Sequence, residues 1–193
     1  MLRASGGGHM PAATIESSFD AAQWFIERAQ LDGEYLQPPK LHRLLFLAQA
    51  YYAVAYNGRP LMPAMFIADI DGPVEPAVYR ASELARPKLE PRKLPADVTH
   101  FLDSIWRRFG QHSTDYINKM VAGHKPVKDA MNEGPRTIIS IQAMVGFYGK
   151  RATQASKAQG VLPVSEVIRP KVLKSQTGKP VSVQKWMPGK TDI

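Results

Sequence analysis

The sequence predicts a mainly α-helical fold: a compact multi-helix domain around a buried central helix, with one or two short β-strands and an extended, basic C-terminal tail. Three observations support this prediction. Residues 38–56 are apolar around nearly the whole circumference of a helix, which is typical of a helix inside a domain. Shorter amphipathic segments surround it, bounded by capping residues, glycines or prolines. After residue 157 the apolar periodicity fades, and lysines, prolines and glycines recur.

The chain divides into three parts. Residues 1–10 (MLRASGGGHM) are typical of an expression scar with a glycine linker, so we expect the natural chain to begin at Met10. Residues 11–157 are predicted to form the helical domain, since a chain of this length buries enough surface for a core. Residues 158–193 are predicted to form a basic tail, flexible or extended.

The first helix is predicted between Ser17 and Gly33. Ser17 followed by Asp20 is typical of a capped helix start, and Gly33 provides the stop. We expect this helix to pack on the central helix through an apolar stripe, which comprises Phe19, Ala22, Phe25, Ile26 and Ala29.

The central helix is predicted to begin at Pro38 and to end at Asn57-Gly58. Proline is tolerated in the first turn of a helix, and Asn-Gly readily adopts the left-handed conformation that ends one. His42 lies beside the apolar stripe and is expected to be a packed or partly exposed histidine rather than a base. The apolar positions are Leu41, Leu44, Leu45, Ala48, Tyr52 and Ala55 at helical spacing, with Phe46, Leu47, Ala50, Tyr51 and Val54 around them.

A short extended region follows the central helix. The apolar run AMFIADI at residues 64–70 predicts a strand, whose partner the sequence does not identify. Gly72-Pro73 is interpreted as a turn, and Pro76 predicts the start of a helix over residues 77–85. Residues 88–94 are charged and proline-rich, which is typical of a surface loop.

Small helices account for the second half of the domain. An amphipathic helix is predicted from Pro95 to Gly110, and a shorter one from Ser113 to Gly123. Pro126 predicts one or two further turns. Residues 137–148 are ambiguous, because Ile138 and Ile139 favour a strand while the following residues suit a helix capped by Ser140; we predict the helix.

The net charge of +8 is concentrated at one end of the chain. From Lys150 onward there are nine basic and two acidic residues, giving +7, whereas residues 4–149 hold fifteen of each sign and Arg3 adds +1. A basic tail attracts acidic partners, so weak, non-specific binding of nucleic acid is one interpretation. The favoured interpretation is that the lysines keep a flexible tail solvated.

Composition limits the compartment. The absence of cysteine excludes disulfides, thiolate catalysis and cysteine-based zinc sites, and fits a reducing compartment. No secretory signal is visible, and the longest apolar run, residues 44–56, is too short to cross a bilayer. We therefore expect a cytoplasmic protein without a membrane partner.

Motifs for catalysis are missing. The four histidines after the scar lack the spacing of a zinc-protease site, and the chain has neither a nucleophile elbow nor a dinucleotide fingerprint. Gly189-Lys190-Thr191 imitates the end of a phosphate-binding loop but lacks its first glycine and its helix. We expect no enzymatic activity, no catalytic residue, no metal and no cofactor.

Three motifs occur in a fixed order between Lys40 and Tyr79. KLHRLLFLAQAY begins at Lys40, GRPL at Gly58 and GPVEPAVY at Gly72. In this order they resemble the Panacea antitoxin domain, a phage-associated family with a SocA-like branch. The likeness covers about residues 19–149, with two departures: Arg43 stands where the family has a lysine, and Val127 where it has a tryptophan.

The resemblance implies a mainly helical domain that binds a protein toxin and neutralises it. In the SocA-like branch, the antitoxin is an adaptor that hands its toxin to the ClpXP protease. The alternative class, kept open, is a nucleic-acid-associated regulator that uses the basic tail.

The resemblance also marks candidate toxin-binding residues. In the functional interpretation, a turn and a helix start form the docking face, with Lys40 and Arg43 at its rim. In the structural interpretation, the turn and the helix start only build the fold, and Tyr79 packs on the central helix. The motif positions are Lys40, Arg43, Gly72, Pro73, Val74, Pro76 and Tyr79.

A second contact is predicted in the tail. Residues 167–174 (VIRPKVLK) alternate basic and aliphatic residues and loosely resemble the segment by which SspB-type adaptors dock on ClpX. Docking as an extended strand would tether the protease, and a tether makes the second binding event intramolecular. The hypothetical tether consists of Arg169, Pro170, Val172, Leu173 and Lys174, with Val172 and Leu173 as anchors.

Overall fold

A computed structural model describes residues 11–83, 92–150 and 157–168, together with the backbone of two strands at 172–174 and 180–182. The predicted mainly helical fold is confirmed. The central helix is α2, Pro38–Ala55, in which every residue from 40 to 53 is buried. Around it lie α1 (Ser18–Leu31), α3 (Pro76–Glu83), α4 (Ala96–Ile105), α5 (Thr114–Ala122), α6 (Lys125–Glu133), α7 (Ile141–Tyr148) and α8 (Val164–Val167).

The predicted helix boundaries follow from local capping. The hydroxyls of Ser17, Ser113 and Ser140 each accept a backbone N–H from the first turn of α1, α5 and α7, respectively. Asn57 and Gly58 both have positive φ, at 53° and 86°, so the chain leaves α2 through the left-handed conformation that the sequence predicted.

A three-stranded antiparallel sheet covers one side of α2. Its strands are β1 (Phe66–Asp69), β2 (Gly72–Val74) and β3 (Ile138–Ile139), in the order β2-β1-β3. The prediction of a turn at Gly72-Pro73 is wrong, because these residues pair with Asp69 and Ala68 and the hairpin turn lies at residues 70–71. Both possibilities for residues 137–148 occur, since Ile138 and Ile139 pair with β1 and α7 follows.

The helix predicted from Pro95 to Gly110 changes its geometry near the end. After α4 the chain makes a π-helical turn, Trp106–Gly110. Trp106 is buried, and its Nε1–H donates to Asp32 Oδ2 at 2.7 Å. A Cβ on Gly110 would lie 2.6 Å from the Trp106 ring, so the wide turn depends on a glycine there.

Residues 157–168 belong to the folded body. The sequence placed the start of the tail at residue 158, yet Val161, Leu162 and Val167 are buried in the core. The Tyr51 hydroxyl donates to the Leu162 carbonyl and accepts from the Leu162 N–H, both at 3.1 Å. Farther along, β4 (Val172–Lys174) pairs antiparallel with β5 (Pro180–Ser182).

Candidate functional site

The first two sequence motifs meet at Gln49, in the middle of α2. Its side-chain Oε1 accepts the backbone N–H groups of Leu61 and Met62, and its Nε2–H donates to the Met62 carbonyl, all at 3.0 Å. Gln49 is completely buried, so these bonds are protected from water. One buried amide therefore fixes the segment after the Asn57-Gly58 stop against the central helix.

Arg43 joins the central helix to the third motif. Its guanidinium is buried and donates from Nη1 to the Pro73 carbonyl at 2.9 Å and from Nη2 to the Asp71 carbonyl at 2.5 Å. Burial lowers the pKa of Arg43 to about 10, while the carboxylates of Asp69 and Asp71 act in the opposite direction. The arginine therefore holds the β1-β2 hairpin by its backbone.

Gly72 makes this contact possible. Its φ is +119°, which favours glycine, and a Cβ at this position would lie 2.8 Å from Arg43 Nε. Arg43 and Gly72 are therefore a matched pair: the guanidinium fills the space that a side chain at residue 72 would need.

We expect Gly72→Ala to lower the free energy of unfolding by about 2 kcal/mol, because alanine resists the positive φ and its Cβ collides with Arg43. Chemical denaturation of Gly72→Ala, Arg43→Ala and the double variant measures the coupling. The double variant should lose less stability than the sum of the two single variants, since Arg43→Ala removes the collision. Strictly additive losses would contradict the pairing.

Glu75 sets the start of α3. Its buried carboxylate accepts the Val78 N–H at 2.7 Å and the Ser18 hydroxyl at 3.4 Å, and its own N–H donates to Nδ1 of His42 at 3.3 Å. Because Nδ1 accepts, the neutral imidazole carries its proton on Nε2. That Nε2 is buried and has no hydrogen-bond partner among the described residues.

His42 is held in the neutral state. Burial, followed by the positive charge of Arg43, lowers the pKa of His42 to about 4. Its ring centroid lies 6.0 Å from that of Tyr79, so Tyr79 packs against the central helix through His42. The packed histidine expected from the sequence is confirmed.

The outer face of the sheet carries an apolar row. Val74, Ile67 and Ile138 are successive cross-strand partners, so their side chains lie side by side on one face. Val74 is buried, Ile67 is half-buried and Ile138 is 56% exposed. Tyr79 follows β2 at the start of α3 and is 45% exposed; the hydrogen bond and charge of Glu83, together with the more weakly acting charge of Asp69 in β1, raise the pKa of its phenol. We call Val74, Ile67, Ile138 and Tyr79 the outer face.

The structure separates the seven motif residues into two groups. The prediction of Lys40 and Arg43 at the rim of a docking face is wrong, because both side chains are buried. Each of them already has a partner within the chain. Lys40 Nζ lies 3.6 Å from the Glu34 carboxylate and 5.7 Å from the Trp106 ring centroid, away from the hairpin. Gly72 and Pro73 are also buried, Pro76 is half-buried, and Val74 and Tyr79 belong to the outer face.

The predicted tether lies mostly beyond the side chains that the structure describes. Arg169 and Pro170 are outside the described residues. Val172, Leu173 and Lys174 form β4, whose backbone pairs with β5. Docking of this segment on a protease stays a prediction.

The sequence did not single out the surroundings of His124 as a site. His124 is buried, with Nδ1 2.7 Å from the Tyr148 hydroxyl and Nε2 3.0 Å from the Gln159 carbonyl. Because a carbonyl only accepts, Nε2 carries the proton and Nδ1 accepts from Tyr148. Burial is the main cause that lowers the pKa of His124. Val127 lies in the core, where the family motif has a tryptophan.

Metal binding and membrane crossing find no support in the described part of the chain. Among residues 11–83, 92–150 and 157–168, no three or more His, Asp or Glu side chains come together as metal ligands. None of the helices described there has both the length and the apolar character needed to cross a bilayer.

A scan against protein-family models, a search of curated proteins and a search of solved structures found no match to this chain.

Proposed function

We propose that this chain is the antitoxin of a toxin–antitoxin pair, a Panacea-type domain that binds its protein toxin in the cytoplasm and delivers it to ClpXP. In this proposal the chain performs no reaction. The observation that carries it is the apolar outer face, mounted on a hairpin and a helix start that three ordered motifs hold in place.

The outer face has the chemistry of a protein-binding surface. Apolar side chains in a row, with a tyrosine beside them, are typical of the centre of a protein–protein interface. Ile70 at the hairpin tip is 82% exposed and extends the apolar surface. Binding of a protein here would remove from water side chains that the described part of the chain leaves exposed.

Buried hydrogen bonds hold the hairpin and the helix start that carry the outer face. Arg43 fixes the hairpin from below, and Glu75 fixes the start of α3 to α1 and α2. A preformed surface loses little conformational entropy on binding. This assigns the motif residues distinct roles: Arg43, Gly72, Pro73 and Pro76 build the surface, and Val74 and Tyr79 belong to it.

Co-expression with the small protein encoded next to this chain tests the proposal. We expect the two proteins to co-purify and the chain to relieve growth arrest. Tyr79→Ala combined with Ile138→Ser should weaken the complex at least about tenfold in calorimetric titration, since both side chains leave the interface centre. Leu31→Ser, at the end of α1 and 82% exposed, is the matched control and should leave affinity unchanged. Equal affinity of all variants, or no complex with wild type, would refute the proposal.

The same complex tests delivery to the protease. A chain ending at Ile168 keeps the Tyr51–Leu162 bonds, whereas a cut at residue 160 would remove buried core residues. The shortened chain should bind the toxin normally but fail to promote its degradation by purified ClpXP. Undiminished degradation would exclude the tether, whereas no degradation even with the full chain would leave neutralisation by occlusion.

A nucleic-acid-associated regulator is the second candidate. It is favoured by the charge of +7 from Lys150 onward, against an electroneutral stretch at residues 4–149. DNA binding with sequence preference and a steep decrease of affinity with salt concentration would support it. Capture of the neighbouring protein with little dependence on salt would support the antitoxin.

A further inference from the structure

A second surface with binding chemistry lies between helices in the second half of the domain. It is an open groove of about 560 Å³ between α5, α6, α7 and residues 158–159. Its lining includes none of the seven motif residues. The groove is therefore distinct from the outer face.

The wall formed by residues 157–160 is fixed to the helices. His124, at the start of α6, binds the Gln159 carbonyl through Nε2 at 3.0 Å. Gly160 has φ +77°, and a Cβ on it would lie 2.3 Å from Met120 Sδ, so the thioether packs directly against the glycine backbone. The groove is thus a built feature with a defined wall.

The groove combines an apolar floor with basic edges. Tyr116, Met120 and Phe147 supply apolar surface. Three exposed lysines, Lys119, Lys125 and Lys128, lie along the edges, against a single carboxylate, Asp129, that Lys125 already pairs with at 2.7 Å. Two of the three lysine charges are therefore not balanced by a carboxylate of the lining.

We propose that this groove binds a short acidic peptide segment of a partner protein, with one apolar side chain of the segment on Met120 and Phe147. The carboxylates of the peptide pair with Lys119 and Lys128, so that the charges of the peptide and of the groove edges are complementary.

The lining favours a carboxylate-bearing peptide over nucleic acid. It contains no arginine, the side chain that binds phosphate in a bidentate manner. The Tyr116 ring is already paired with His112, at 4.5 Å between centroids, and Phe147 with His124, at 5.4 Å. These rings are therefore poorly placed to stack successive bases.

Binding of fluorescein-labelled Glu-rich peptides with a central Phe, Leu or Met to the full chain, followed by anisotropy, tests the proposal. Lys119→Glu combined with Lys128→Glu should weaken binding at least about tenfold. The matched control, Arg80→Glu with Lys93→Glu, changes net charge equally at exposed positions outside the groove lining and should change affinity less than about twofold.

Three outcomes would overturn the proposal. The first is the absence of binding for every peptide at concentrations up to about 1 mM. The second is an equal loss of affinity in the groove variant and its control, which would indicate net charge alone. The third is tighter binding of a single-stranded oligonucleotide that competes with the peptides, which would assign the groove to nucleic acid. Circular dichroism of both double variants confirms that the substitutions leave the fold intact.

Discussion

Gln49→Leu is expected to lower the free energy of unfolding by about 4 kcal/mol. Leucine has a similar volume but cannot bond to the Leu61 N–H, the Met62 N–H or the Met62 carbonyl, and the site is closed to water. Each buried backbone group left unpaired costs about 1–3 kcal/mol. The loss is comparable with the total stability of many domains of this size, so partial unfolding at ordinary temperature is part of the expected result.

Urea denaturation followed by far-UV circular dichroism measures this loss. Gln30→Leu is the matched control, because it makes the same chemical change at an exposed position of α1. This substitution should alter the free energy of unfolding by less than about 0.5 kcal/mol. A Gln49→Leu variant as stable as the control would show that the segment after α2 does not depend on this amide.

Acidification from pH 7 to pH 4 is expected to destabilise the folded state by about 3 kcal/mol through His42 alone. The pKa of His42 is about 4 in the folded chain and 6.5 as the ordinary value. Between these pH values His42 is protonated in the unfolded chain and neutral in the folded chain. Its contribution to the free energy of unfolding is therefore fully present above pH 6.5 and decreases as the pH falls toward 4. Protonation would also place a donor on Nδ1, facing the Glu75 N–H.

His42→Asn isolates this contribution. Asparagine offers an acceptor near the position of Nδ1 and does not titrate, so the variant should show a smaller decrease of stability between pH 6.5 and 4 than wild type. His124, whose pKa is also lowered, and the carboxylates titrate in both proteins and cancel in the comparison. Identical pH profiles of the variant and wild type would contradict the assignment to His42.

The sequence predicts the helices well because their signals are local. Ser17, Ser113 and Ser140 cap the helices that follow them, and Asn57-Gly58 ends α2 as expected. The sheet was harder to predict, since β3 is two residues long and its partner β1 is about seventy positions earlier. The π-helical turn depends on how the Trp106 ring meets Gly110, which periodicity does not express.

The candidate site was predicted only in part, for a physical reason. The functional interpretation of the resemblance placed Lys40 and Arg43 at the rim of a docking face, and charged residues on a helix are normally exposed. In the structure both side chains are buried, and partners compensate their charges. Carbonyl groups of the hairpin accept hydrogen bonds from Arg43, while Lys40 forms an ion pair with Glu34 and lies over the Trp106 ring. Such partners are distant in the sequence, so spacing alone gives no sign of them. The groove beside His124 was not predicted either, because its lining residues come from separate segments of the sequence.

The bond between Tyr51 and Leu162 has a consequence for biosynthesis. The two residues are 111 positions apart, and the hydroxyl of the earlier one is buried in the middle of the body. A nascent chain on the ribosome exposes the tyrosine long before its partner leaves the exit tunnel. Because contacts between distant residues form late, the final packing of the body waits until residue 162 has been synthesised, and part of its apolar centre is uncovered until then.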